Sequence, residues 1–157
     1  MAVASVVFVD TSVLISAFIE MGEKPLPAEA LLEAIATKRV RRALTSWHCV
    51  LEFYAVATRL PGGLRLDPQL AGQLVGEAIL RRFEVCDLPS DARRTFVEAI
   101  VHERIAGGRV YDAHIAEAAR LAGAEVVVTE NRRHFAPLMR YGIRVVTAEE
   151  FADEYGA

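Results

Sequence analysis

Apolar residues in this chain fall into short unbroken runs, separated by longer stretches where they recur every three or four positions. The first run, residues 6–9, is β-branched and aromatic and predicts a buried strand; a helical stretch over 12–19 follows at once. Glu23, Lys24, Pro25 and Pro27 break that helix, and a second is expected over 28–37. Residues 43–45 read as a short strand. Ser46 then suits the N-cap of a helix reaching about residue 60, which Pro61-Gly62-Gly63 ends. Asp67-Pro68 pairs a capping residue with a favoured first-turn proline and opens a helix to about 82. A strand over 83–88 follows, and Ser90 caps a helix to about 105. Beyond Gly107-Gly108 the pattern gives a small-residue helix over 111–122 stopped by Gly123, a strand over 125–129, and a short helix over 135–141 ending at Gly142. A strand over 143–147 and a helical turn over 148–154 close the chain.

Strands and helices alternate, and the strands are continuously apolar, as in Val126-Val127-Val128. A strand buried on both faces belongs to a parallel sheet covered by helices on both sides. The expected fold is α/β, three-layer α/β/α, with a parallel sheet of about five strands. With 157 residues and no linker, repeat or low-complexity stretch, the whole chain, 1–157, reads as one domain.

Composition changes that picture little. Hydrophobic residues make up 53% and charged residues 25%, an ordinary globular balance. No apolar run is long enough to span a bilayer, and the first nine residues lack a basic start and a small-residue cleavage site. No membrane association and a cytoplasmic location are therefore expected. Cys49 and Cys86 lie in apolar segments without Cys or His at metal-ligand spacing, so they read as buried free thiols. A net charge of −3 argues against a surface that coats nucleic acid non-specifically, although local patches decide contact. All but two of the eighteen basic residues, Lys24 and Lys38, are Arg, the side chain suited to forked phosphate contacts.

In an open parallel sheet, ligands bind beyond the carboxyl ends of the strands. Asp10 directly follows the first strand; it reads either as an N-cap or as a strand-end ligand. Glu52 lies in a helix that is apolar nearly all round, so it is either a partnered carboxylate near the core or the one solvent-facing position. Asp112 opens its helix above the apolar stripe of Ile115, Ala116 and Ala119, where the helix dipole alone would favour an acid. His114, Glu117 and Arg120 fall on the other, wet face. After the strand 125–129 come Asn131, Arg132 and Arg133, a polar turn or, with Thr129, a cradle for a phosphate. Three carboxylates from separate segments near one sheet edge suit a hard divalent cation, Mg²⁺ or Mn²⁺, because like charges held together need a counter-ion. Such a centre supports water attack on a phosphodiester.

Four segments resemble the PIN-domain nucleases, and the VapC-type toxins among them. Val7-Phe8-Val9-Asp10-Thr11-Ser12 is similar to the opening strand with its first metal-binding Asp. Glu52 in Val50-Leu51-Glu52-Phe53 matches the helical Glu, and Asp112 in Arg109-Val110-Tyr111-Asp112-Ala113 the helix-opening Asp. Val128-Thr129-Glu130-Asn131-Arg132-Arg133-His134-Phe135 is similar to the family's Thr-x-Asp/Asn-x-x-x-Phe segment, with Asn131 where many relatives carry a fourth Asp. The resemblance implies a metal-dependent endoribonuclease, an RNA substrate, a cognate antitoxin protein and a homodimer. It makes Asp10, Asp112 and Glu52 metal ligands, Asn131 a residue that positions water or phosphate, and Thr11 and Thr129 supports.

Other classes fit less well. A phosphoacceptor receiver domain needs a Lys after its last strand, and both lysines lie in the first third. A phosphatase with an Asp-x-Asp nucleophile fails because Thr11-Ser12 follows Asp10. The alternative is a non-catalytic PIN-like module that binds RNA or protein. The run Lys38-Arg39-Val40-Arg41-Arg42 reads either as an RNA guide or as a solvated helix end.

Overall fold

The computed structural model describes residues 4–19 and 27–155, with the backbone alone for Ala4 and Ser5. Its centre is β1 (Ala4–Val9), which leads directly into α1 (Thr11–Phe18). Helix α2 (Pro27–Ala36) begins at Pro27, whose fixed φ and missing N–H suit a first turn, so this proline opens a helix. The expected breakers Glu23, Lys24 and Pro25 lie outside the described residues. Strand β2 (Val40–Ser46) is followed by α3 (Trp47–Ala57), and the Ser46 side chain accepts the Cys49 N–H as an N-cap should.

The next helix runs as α4 (Pro68–Gln73), capped by Asp67, a wider π-type stretch over Leu74–Ile79, and α5 (Leu80–Arg82). Strand β3 (Glu84–Cys86) and helix α6 (Arg93–His102) follow. Ser90 lies inside a 3₁₀ turn and caps nothing, contrary to expectation. Helix α7 (Arg109–Leu121) and strand β4 (Val126–Val128) come next. The short helix expected over 135–141 starts earlier, as α8 (Arg132–Phe135), and continues as a 3₁₀ turn that Gly142 ends at φ 78°. Strand β5 (Arg144–Val146) and helix α9 (Ala148–Tyr155) close the fold.

All strand pairs are parallel, in the order β3-β2-β1-β4-β5, with helices packed on the sheet in three α/β/α layers. The order reverses beside β1: the chain steps outward through β2 and β3, then returns to place β4 on the other side. That reversal leaves a crevice between the carboxyl ends of β1 and β4, where such sheets bind ligands. Register fixes what faces it. Val9 lies opposite Val128, and the Asp10 N–H donates to the Val128 carbonyl at 3.0 Å, so Asp10 and Thr129 emerge side by side.

Strand β2 is longer than the expected 43–45, because residues 40–42 join it. Their arginines masked the pattern: Arg41 and Arg42 are exposed at the strand's start, the edge opposite the crevice. Arg42 pairs with Glu84 at 2.8 Å and Arg39 donates to the Tyr155 carbonyl at 3.1 Å. The basic run is thus a strand opening, and it does not border the crevice.

One hydrophobic cluster joins both ends of the chain, from Val6 to Tyr155, around the fully buried Phe8, Phe53, Phe135 and Phe151. Phe53 anchors α3: its ring meets Phe18 of α1 edge-on, centroids 6.3 Å apart. Truncating a buried Phe to Ala typically costs about 3–5 kcal/mol. Phe53→Ala is expected to lose stability in that range by urea denaturation, a large part of what a domain of this size has.

Candidate active site

Asp10 occupies the N-cap position of α1 with extended backbone angles, yet its side chain makes no capping bond. The carboxylate turns into the crevice, where Thr129 Oγ1 donates to Oδ2 at 2.8 Å and Ser12 Oγ donates to the same oxygen at 3.1 Å. Each hydroxyl is itself oriented. Ser12 Oγ accepts the Glu130 N–H at 3.1 Å and Thr129 Oγ1 accepts the Asn131 N–H at 3.0 Å. A hydroxyl that accepts from an N–H has its own proton free, so both protons point at Asp10, the arrangement that favours the anion. The Cys49 thiol lies 3.8 Å from the other oxygen, Oδ1.

Burial works against that cradle. It pushes the Asp10 carboxyl above its ordinary range, outweighing the favourable pull of the Thr129 hydroxyl, the adjacent Thr11 backbone and the Ser12 hydroxyl, and the nearby Glu52 charge adds to the rise. Cys49 is pushed up to about 11, first by burial and then by Asp10, so it stays a neutral thiol. No cation pairs with Asp10 among the described residues. The adjacent Thr11 Oγ1 is buried and makes no hydrogen bond.

Glu52 settles between its two sequence readings. Its helix is buried through Cys49, Val50 and Phe53, but the Glu52 side chain keeps 42% of its exposure and reaches the crevice rim, 3.6 Å from His48 Nε2. Asp112 lies in the first turn of α7, and its Oδ2 is 2.7 Å from His134 Nδ1. That contact ties α7 to α8 just after Asn131. His134 was not singled out from sequence; its position three residues beyond Asn131 on a one-turn helix is the signal that could have raised it.

Asn131 occupies the N-cap position of α8 but, like Asp10, makes no side-chain capping bond. The N-cap reading of Asp10 therefore fails, and Asn131 does not cap either. Arg132 pairs with Glu150 on α9, and Arg133 is exposed beside it. Both line a broad, open depression together with Asn131, Glu149 and Glu150. His114, expected on the wet face of α7, is instead half-buried against the rings of His48 and Phe96.

Oxygen donors dominate this centre, and a buried anion beside a second carboxylate and an orphaned hydroxyl is a donor set that fits a hard divalent cation. As placed, no three His, Cys, Asp or Glu among the described residues form a finished metal-holding group. Asp10 and Glu52 are electrostatically coupled, while the Asp112 carboxylate is turned to His134.

Known proteins are consistent with this geometry. The PIN domain profile matches residues 7–137, and the chain belongs to that family. Within it, the chain is 36% identical over 109 residues to Ribonuclease VapC27 of Mycobacterium tuberculosis, covering 69% of this chain and 76% of that protein. The fold superposes on the structure of VapBC-1 from nontypeable Haemophilus influenzae with a TM-score of 0.62 at 16% identity, covering 91% of this chain and 98% of that one. It also superposes on VapC20 of Mycobacterium tuberculosis, a sarcin-ricin loop cleaving toxin, with a TM-score of 0.59 at 18% identity, covering 83% and 94%. Among the described residues, no helix is long and apolar enough to cross a membrane.

Proposed function

We propose that this chain is a metal-dependent endoribonuclease, the toxin of a toxin–antitoxin pair, with its centre at Asp10. The observation that carries the reading is the Asp10 carboxylate, buried at the switch point, oriented by two hydroxyls, next to Glu52 and without a cation among the described residues. A structural acid would cap its helix or pair with a base, and Asp10 does neither. VapC27 is named a ribonuclease, and VapC20 a sarcin-ricin loop cleaving toxin.

Asp10, Glu52 and Asp112 would hold the cation, Glu52 directly or through water. Bound Mg²⁺ or Mn²⁺ would supply a Lewis acid and lower the pKa of an attacking water. The chain's own part begins with Ser12 and Thr129, which keep Asp10 Oδ2 in place as an acceptor. Asn131, free of capping duty, orients water or the scissile phosphate, and Arg133 with Arg132 offers positive charge to the RNA backbone. Attack at phosphorus breaks the bond to the 3′-oxygen, which takes up a proton and leaves as a 3′-hydroxyl while the other product keeps a 5′-phosphate.

The toxin reading implies a protein partner for this chain as well. Trp47, Leu51 and Tyr54 form an exposed stripe along α3, at 46%, 53% and 37% exposure, an apolar surface of the kind that marks an interface. A cognate antitoxin and a second copy of the chain are the proposed occupants of such surfaces.

The test is cleavage of total RNA with Mg²⁺ or Mn²⁺, followed by end analysis of the products. Activity is expected to vanish in excess EDTA, return with Mg²⁺ or Mn²⁺ and leave 5′-phosphates. Cleavage in EDTA that an Asp10→Asn protein prepared alongside does not show would overturn the metal role.

A further inference from the structure

Four rings form a run that the acid centre does not use. His48, in the first turn of α3, lies face to face with Tyr111, in the first turn of α7, with centroids 5.2 Å apart and planes 16° from parallel. His48 meets His114 edge-on at 5.9 Å, and His114 meets Phe96 of α6 at 5.9 Å. The run starts at the acids: His48 Nε2 is 3.6 Å from Glu52 Oε2, and Tyr111 immediately precedes Asp112. It borders a depression of about 410 Å³ that Tyr111, His114 and Phe96 line together with Arg93 and Asp87. Asp87 is not open acid there, because its Oδ1 is 3.6 Å from His114 Nε2. Tyr111 is 56% exposed although it stacks on His48. A large ring held flat by a second ring, and still open to water, is poised to stack on something else.

We infer that Tyr111, backed by His48, is a stacking platform for an unpaired base of the RNA strand beside the scissile phosphate. The inference rests on the ribonuclease reading and adds a base-binding subsite to it. Two features favour a base over a peptide. Stacking on aromatic rings is the common way proteins grip single-stranded nucleic acid, and it tolerates any base because every base has a π face. The rest of the depression is aliphatic, Leu88, Val97 and Val110, so the open face of Tyr111 and the nearby arginine are what favour a base. Arg93 lines the same depression as Tyr111, so a cation for a neighbouring phosphate stands beside the platform. His48 also fixes the spacing, since one imidazole both backs Tyr111 and touches Glu52.

The test compares a short oligouridylate with the abasic ribose-phosphate strand of the same length. Binding is read by fluorescence anisotropy in EDTA, and KM for the oligouridylate in Mg²⁺. Wild type is expected to prefer the base-bearing strand. Tyr111→Leu is expected to bind oligouridylate about tenfold more weakly and the abasic strand unchanged, as loss of one base stack would do. Tyr111→Phe keeps the ring and should retain the preference within about twofold. The platform is wrong if wild type shows no base preference, or if Tyr111→Leu weakens both strands alike. It is also wrong if that variant keeps RNA affinity and instead loses a protein partner, which would assign the ring face to that partner. Failure of wild type to bind or cleave RNA at all removes the ribonuclease reading as well. RNA cleavage with an unchanged KM in Tyr111→Leu removes the platform alone.

Discussion

Asp10→Asn is expected to abolish RNA cleavage and, in metal-free buffer, to raise the melting temperature. The two effects share one cause. Asp10 is buried beside Glu52, and no cation pairs with it among the described residues, so its charge opposes folding until a counter-ion arrives. Asn keeps the shape and lets Ser12 and Thr129 keep their bonds to an amide oxygen, but removes the charge. Loss of a charged metal ligand should lower cleavage by at least about a thousandfold, roughly 4 kcal/mol in the barrier. Relief of the buried charge should add on the order of 1 kcal/mol of stability, or about 2–4 °C.

The sign with pH follows from the raised carboxyl. A group whose folded pKa lies above its unfolded one loses stability for the fold as pH rises between the two. The advantage of Asp10→Asn should therefore be small near the unfolded aspartate value of about 3.9, grow as pH rises, and level off above the folded value. Calorimetric melts across that range in EDTA read this directly. A variant that is inactive and less stable at neutral pH would mean that Asp10 is a structural acid whose bonds outweigh its burial.

Asn131→Ala is expected to separate catalysis from stability and from metal binding. The residue stands at an N-cap, but its side chain makes no capping bond, so the usual loss of about 1 kcal/mol should be missing. It bears no charge, so metal affinity by calorimetry should stay near wild type. If the amide positions water or phosphate, single-turnover cleavage at saturating metal should fall by about a hundredfold, roughly 2.7 kcal/mol. Asp112→Asn makes the contrast: cleavage and metal binding should fall together. Wild-type cleavage by Asn131→Ala at saturating metal would leave Asn131 with no catalytic part.

Most of the sheet and the site's backbone were legible in the sequence because each rested on a local signal. The apolar runs ending at Val9 and Val128 placed β1 and β4, and Asp10 and Thr129 came with them. Ser46 announced its helix by the capping chemistry it shows. Two failures were also local. Arg41 and Arg42 hid the start of β2, since an exposed strand opening carries charges that erase the pattern. Ser90, a capping residue by type, was taken up in a 3₁₀ turn before the helix. The side-chain partnerships were not legible for a different reason. His48 with Tyr111, His134 with Asp112, and Cys49 with Asp10 each join segments far apart in the chain, and no spacing rule links them. Only register decides that the Thr129 hydroxyl joins that of Ser12 on Asp10. The cap position likewise could not reveal that Asp10 and Asn131 decline to cap.

The most direct measurement is the position of Mn²⁺ in crystals soaked with that ion, read from its anomalous scattering. One Mn²⁺ is expected in the crevice between β1 and β4, bonded to Asp10 and held by Glu52 and Asp112 directly or through water, with the Asp112 carboxylate drawn away from His134. Mn²⁺ found only elsewhere, for instance on the exposed acids Glu149, Glu150 and Asp153, with Asp10 still held by Ser12 and Thr129 and no ion beside it, would contradict it.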